Sequence, residues 1–257
     1  MQSILMKRLD DLAVSLSHTE GAIALIGLGS VGVETNRIDE YSDIDFFVIV
    51  KNGMEKTFMK DTSWLSDVYP VSYIFQNTKD GYKVLFDDGV YGEFAIFDEK
   101  RLPNIPFYNA RLHWKHPESN FVIENSKYPL PKTRDLDFAF NEALTNIYVG
   151  LLRYLRGEYY SALLFVQNYA LNQVASVLHY IEGEQGTSDI FDPSRRIEMR
   201  HPAFSSLLPK ILVGYKKTPE AAKVLLAFMT TYYDLNFKMV SKIEKLIEKA
   251  EKKNGFE

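Results

Sequence analysis

Two rhythms of apolar residues divide this chain. Ile4, Leu5, Leu9, Leu12, Ala13 and Leu16 recur at helical spacing, which predicts an amphipathic helix over residues 3–17. After Gly21 the pattern changes to short apolar runs, the signature of strands. Ala22–Leu28 is the first, and Ile44–Val50, led in by Ser42-Asp43, is the second. Asn52-Gly53 marks a turn, and a helix over Met54–Asp67 follows, carrying Phe58, Met59, Trp64 and Leu65. Val71–Phe75, Tyr82–Phe86 and Tyr91–Phe97 read as three more strands, with Asp87-Asp88-Gly89 as a hairpin turn between the last two. Residues 98–134 are broken by five prolines and offer one strand-like run, Phe121–Ile123. Beyond them the rhythm is helical to the end. Asp135 caps a helix whose stripe runs from Leu136 to Leu155, and Gly157 closes it. A second helix is expected over Glu158–Ile181, a polar loop over Gly183–His201, and a short helix over Pro202–Val213. Thr218-Pro219-Glu220 starts a last helix expected to reach about Lys252. The pattern predicts an α+β chain, a mixed sheet with helices followed by a helical bundle, divided at residues 1–130 and 131–257. The proline-rich linker is equally able to wrap the first half.

The chemistry gathers between Ile23 and Val50. The first strand ends in Gly29-Ser30, and after a gap of twelve residues Asp43 and Asp45 open the second. Alternation points the two carboxylates the same way, with Cα atoms about 6.6 Å apart. Like charges at the mouth of a buried strand repel and lose hydration. A divalent cation relieves both penalties, which makes the pair a candidate Mg²⁺ site. Glu93 is a third carboxylate, on a strand whose other members on that face are apolar. Taken alone it reads as an edge-strand residue facing water or paired with Lys83; beside Asp43 and Asp45 it joins the metal site. The neighbouring Gly92 would let a substrate approach. Gly27-Leu28-Gly29-Ser30-Val31-Gly32 also fits G-x-G-x-x-G, but no amphipathic helix follows it and the acids stand at the wrong end of the next strand, so a dinucleotide site is not expected.

Composition narrows the choice. The chain has 257 residues, 46% of them apolar, and a net charge of −4, which disfavours a nucleic-acid or anionic-membrane partner. It has no cysteine, so neither disulfides nor thiolate metal sites arise. The amino-terminal residues are too charged for a signal peptide, and no apolar run reaches the ~20 residues of a membrane span, so a soluble cytoplasmic protein is expected. The histidines show no metal-ligand spacing and are read as structural.

Gly-Ser, a gap of twelve, then Asp-x-Asp opening an apolar strand resembles the signature of the nucleotidyltransferase superfamily that includes DNA polymerase β. The tracts YSDIDFFVIV, DVYPVSYIF, GYKVLFDDGVYGEFAIFDEKRL and RYLRGEYYSALLFVQN are similar, in order and kind, to those of lincosamide nucleotidyltransferases of the linB type. The similarity runs from about Leu25 to Val177 and thins beyond. It implies an amino-terminal nucleotidyltransferase fold, a carboxy-terminal helical bundle, often a dimer, and transfer of AMP from ATP to a hydroxyl of a small antibiotic with Mg²⁺. The chain departs from the pattern in its longer gap after Ser30, in Asp rather than Glu at Asp45, and in its helical half. On this reading Asp43 and Asp45 hold Mg²⁺, and Gly29, Ser30 and nearby amides hold phosphates. Glu93 takes the acceptor proton and can bind a second metal. Arg37 is a further phosphate contact or else a surface arginine. Arg153 and Arg156 reach the triphosphate or are surface charges. Tyr159 and Tyr160 line the acceptor cleft or belong to the core. An aminoglycoside acceptor, a protein acceptor of the toxin–antitoxin kind and a non-catalytic nucleotide-binding module stand as alternatives.

Overall fold

The computed structural model describes residues 3–123, 134–183, 192 and 194–254. It separates into two compact units, residues 1–130 and 131–257. Their junction falls in 124–133, outside the described residues, and so do residues 184–191 and 193 of the polar loop expected before His201.

The first unit opens with helix α1, Ile4–Ser17, whose Ser3 side chain accepts from the Met6 amide at 3.2 Å. Leu5, Leu9, Leu12 and Leu16 form its buried stripe. Strands β1 (Ala22–Leu28) and β2 (Ile44–Val50) follow. Where a single helix is expected over 54–67, two short ones form: α2, Glu55–Lys60, and α3, Ser63–Ser66. Asp61 separates them by turning its carboxylate onto the Ser63 amide at 3.0 Å, a local bond that competes with helix continuation. Strands β3 (Val71–Gln76), β4 (Gly81–Phe86) and β5 (Tyr91–Asp98) come next. The last strand is β6, Arg111–Lys115, which the mixed pattern of RLHWK hides. The expected strand at Phe121–Ile123 does not form. Phe121 is instead a buried plug against Ile23, Ala24 and Ile26.

The sheet order is β3-β4-β5-β2-β1-β6. β2 and β5 are parallel, and every other neighbouring pair is antiparallel. One face packs a core: Ile44, Phe46, Val48, Val84, Phe94 and Ile96 are buried with the stripe of α1 and with Phe58 and Trp64 of α2 and α3. The opposite face is capped only at one end, where Leu102 and Phe121 cover Ile49 and Phe97. Its remaining side chains, including Asp45, Lys83, Leu85, Tyr91 and Glu93, are half-buried. A sheet with one sealed and one partly open face offers its open side chains to a ligand.

The second unit is helical. Helix α4, Leu136–Leu155, is capped by Asp135, whose carboxylate accepts from the Phe138 amide at 2.7 Å. Gly157 follows at φ +85°, a left-handed conformation that ends the helix without a Cβ penalty. The helix expected over 158–181 is present in pieces: α5 (Tyr159–Leu163), a π-helical stretch (Leu164–Ala170), α6 (Leu171–Ala175) and α7 (His179–Glu182). Gly150 of α4 lies under the π stretch, and a Cβ there would stand 2.6 Å from Val166 Cγ2. Three short helices precede Gly214: α8 (Ile197–Arg200) falls where a polar loop is expected, and α9 (Pro202–Ser205) and α10 (Leu208–Ile211) occupy the range expected to hold one helix. The long terminal helix is two, α11 (Thr218–Tyr232) and α12 (Phe237–Asn254). Tyr233 is extended between them, and Asn236 Oδ1 accepts from the Met239 amide at 3.1 Å to start the second. Thr218 is fully buried at the first helical position, its hydroxyl 3.3 Å from Gln167 Nε2. Among the described residues, no helix is long and apolar enough to cross a membrane.

Candidate functional site

Strand β1 ends in a left-handed turn that favours glycine. Gly29 has φ +53° and begins a single turn of 3₁₀ helix through Val31. The turn is tight on its inner side, since a Cβ on Gly27 would lie 2.5 Å from the Val31 carbonyl oxygen. On Gly29 the nearest heavy atom to an added Cβ would be Asp45 Oδ2, at 3.6 Å. The ladder explains this: Leu28 is the register partner of Asp45. Two parts of the motif, separated in sequence, therefore meet at one end of the sheet.

The loop between them is braced locally. Asp39 and Ser42 bond each other through Ser42 Oγ–Asp39 Oδ1 at 2.9 Å, and the Tyr41 amide donates to Asp39 Oδ1 at 3.0 Å. Arg37 forms an ion pair with Glu34, three residues before it. Asp43 stands one residue ahead of β2 and Asp45 is its second residue; both are half-buried.

Glu93 is the third residue of β5 and the register partner of Asp45 across the parallel ladder. β5 is an inner strand, so Glu93 is not the edge residue of the plainer reading. The other half of that reading does hold: Lys83 Nζ lies 2.6 Å from Glu93 Oε1. The Tyr91 hydroxyl donates to the same oxygen at 3.2 Å. Lys83 is the antiparallel register partner of Glu93 on its other flank. Three adjacent strands thus carry Asp45, Glu93 and Lys83 side by side. The hydrogen bond to Glu93, and then its charge, push the Lys83 ammonium above its usual pKa. Burial, followed by the Glu93 charge, raises the Tyr91 phenol. Sequence reasoning named Lys83 only as the partner of Glu93 in the plainer reading and did not single out Tyr91; the Asp87-Asp88-Gly89 turn, which joins β4 to β5, is the signal that brings both in.

Gly92 has another role than the one expected of it. A Cβ there would lie 2.6 Å from Ile44 Cγ1 and 2.7 Å from the Ile44 carbonyl oxygen. The glycine lets β2 and β5 close up on the core face, opposite the face that Glu93 occupies.

A cleft of about 270 Å³ opens where these groups meet, lined by Leu28, Asp45, Phe47, Asn77, Thr78 and Glu93 among others. That is enough for part of a nucleotide, since drug-sized ligands usually occupy about 300–1,000 Å³. The available donors near it are carboxylate oxygens, the chemistry a hard cation prefers. Asp45 lines the cleft, and Asp43 stands two residues before it in the chain. Among the described residues, however, no three acidic or histidine side chains converge on a metal-sized point. Glu93 is engaged by Lys83, which corrects its expected place in a three-carboxylate cluster.

The other candidates lie in the second unit and are held locally. Arg153 Nη1 is 3.1 Å from Glu158 Oε2, with its guanidinium 4.9 Å from the Phe165 ring centre, and Arg156 Nη1 is 3.7 Å from Glu158 Oε1. Tyr159 packs against Tyr154 and Tyr215 at 4.8 and 5.8 Å between ring centres. Tyr160 is exposed.

No protein-family model matches the sequence, and no curated protein matches it. Among solved structures, an aminoglycoside 6-adenyltransferase from Bacillus subtilis is 15% identical, with 97% of this chain and 99% of that one covered at a TM-score of 0.38. A nucleotidyltransferase-like protein from Exiguobacterium sibiricum 255-15 is 12% identical, with 95% of this chain and 74% of that one covered at a TM-score of 0.32. Likeness at these scores is too loose to carry an argument about fold or chemistry.

Proposed function

We propose that this protein is a nucleotidyltransferase of the DNA polymerase β-like kind, moving AMP from ATP to a hydroxyl of a small molecule, with a lincosamide as the acceptor class. The observation that carries the reading is that Asp45 and Glu93 share one cleft in register, with the Gly29 turn beside Asp45.

In that reaction an acceptor hydroxyl oxygen forms a bond to the α-phosphorus of ATP. The bond from that phosphorus to the bridging oxygen breaks, and pyrophosphate leaves with the electron pair. The acceptor proton passes to the Glu93 carboxylate, which the Lys83 ammonium holds in place at 2.6 Å. Ser30 and the amides of the Gly29 turn suit phosphate oxygens, because a left-handed residue beside a right-handed one turns successive N–H groups inward. A bound Mg²⁺ would be held by Asp43 and Asp45 and would offset charge on the phosphates.

The open face near Glu93 favours an acceptor with little charge. Register places Leu85 beside Tyr91 and Tyr73 beside Leu85, and Phe75 beside Lys83. Tyr73 and Phe75 are half-exposed. An apolar, aromatic floor suits a sugar-like molecule with an apolar tail and a single amine. A polycation would lose hydration at each ammonium, and Glu93, the carboxylate next to this floor, is already paired with Lys83.

The test is incubation with ATP and Mg²⁺ against a panel of antibiotics, reading pyrophosphate release and product mass. A product heavier by one AMP is expected with lincomycin. Pyrophosphate release with none of the panel modified would exclude the small-antibiotic acceptor, and no release under any condition would exclude the transferase reading.

A further inference from the structure

We propose that the Lys83 ammonium takes the place of a second divalent cation at this site, so that the nucleotide-loaded protein holds one metal ion rather than two. The inference rests on the transferase reading above.

Strand order β4-β5-β2 puts Lys83 and Asp45 on opposite flanks of Glu93. A carboxylate between a cation and another carboxylate must divide itself between them. Here Glu93 Oε1 already receives two donors, Lys83 Nζ at 2.6 Å and the Tyr91 hydroxyl at 3.2 Å. Two donors fill the lone pairs of one carboxylate oxygen. A second divalent ion ligated there would have to displace the ammonium, or share the oxygen with a like charge a few ångströms away.

Nothing else in register competes for Lys83. Its other cross-strand partner is Phe75, which is apolar. The ion pair is also poorly placed to serve stability. The Lys83 and Glu93 side chains are 37% and 40% exposed, where water screens such pairs and they add little. What the pair does at this position is supply a fixed positive charge beside the cleft that Asp45 and Glu93 share. A lysine ammonium is a compact point charge with three donors, able to hold Glu93 and a phosphate oxygen together.

Counting Mn²⁺ ions per bound α,β-methylene-ATP, by electron paramagnetic resonance alongside calorimetry, tests this. The wild-type protein is expected to bind one Mn²⁺ per nucleotide, Lys83→Met two, and Lys83→Arg one. Binding of the analogue itself reports that each variant is folded; if Lys83→Met does not bind it, the neutral and shorter Lys83→Gln takes its place. Two ions in the wild type overturn the proposal and leave the transferase reading standing. One ion in the neutral variant also overturns it, because the ammonium would then not be what excludes the second. Nucleotide bound with no Mn²⁺ at all would instead remove the metal role and the transferase reading with it.

Discussion

Asp45 and Glu93 face each other across the β2–β5 ladder, and the two carboxylates are assigned different work. Asp45→Asn keeps the shape of the side chain and removes the charge that would hold a cation. Turnover is expected to fall below detection. The melting temperature should hold or rise, because one of two neighbouring like charges is gone. Near-normal turnover in the folded variant would show that the Asp43/Asp45 pair is not a metal site. Glu93→Gln removes the proposed proton acceptor, and a loss of about 10²–10⁴-fold in kcat is expected. Nucleotide binding, followed by calorimetry, should change much less. A shifted melting curve with unchanged kcat would leave Glu93 as an ion-pair residue and nothing more. At this scale the sequence was informative about residue types and faces: alternation put Asp43 and Asp45 on one face of their strand and Glu93 on one face with Ala95 and Phe97. It did not decide whom Glu93 bonds, because that depends on which strand flanks β5 on each side.

Elements hold this pair in register, and two contacts there are open to test. Gly92 lets β5 approach β2 so closely that Gly92→Ala would drive a methyl group into the Ile44 backbone, 2.7 Å from its carbonyl oxygen. Overpacking of this kind costs about 1–3 kcal/mol, measurable as a lower urea midpoint. Glu93 is the next residue, so turnover should fall as well. Equal stability and turnover in the variant would mean the strands can part without consequence. At the hairpin turn, Arg8 of α1 is 3% exposed and its Nη2 lies 2.5 Å from Asp88 Oδ2. The guanidinium sits 4.5 Å from the Tyr69 ring centre and 4.2 Å from that of Phe86. Asp88→Ala leaves this charge buried without its carboxylate, for which about 3–5 kcal/mol of destabilisation is expected in urea unfolding. A loss under ~1 kcal/mol would mean water replaces the partner. Both contacts join residues far apart in sequence. Element types were legible from periodicity, yet single stretches such as 54–67 and 218–252 split where one polar side chain, Asp61 or Asn236, bonded a nearby amide.

The molecule as a whole decides its acceptor, since that partner must meet many side chains together. The half-exposed aromatic residues Tyr73 and Phe75 continue the open face beyond Lys83, a surface with few charges for its size. In a competition between lincomycin and kanamycin under identical ATP and Mg²⁺, adenylylated lincomycin is expected as the main product by mass. Modified kanamycin beside untouched lincomycin would reverse the assignment and favour an aminoglycoside.

The sequence by itself determined the local physics of this protein. Apolar periodicity distinguished strand from helix for α1, α4 and the strands β1 to β5. Asp135 and Gly157 bounded α4, and Gly29-Ser30 with Asp43 and Asp45 marked where the chemistry would gather. Each of these is a property of a few neighbouring residues, so it is written in the order of the chain. Only the tertiary structure decided the rest. It made RLHWK a strand by giving it β1 as a partner, and it turned Phe121 into a plug by burying it against Ile23 and Ile26. It also set β5 between β4 and β2, which joined Glu93 to Lys83 on one flank and to Asp45 on the other. Pairing between distant strands is fixed by register and by the closing of a common core. No window of sequence contains that information, because the free energy that selects it comes from contacts made only once the whole sheet is assembled.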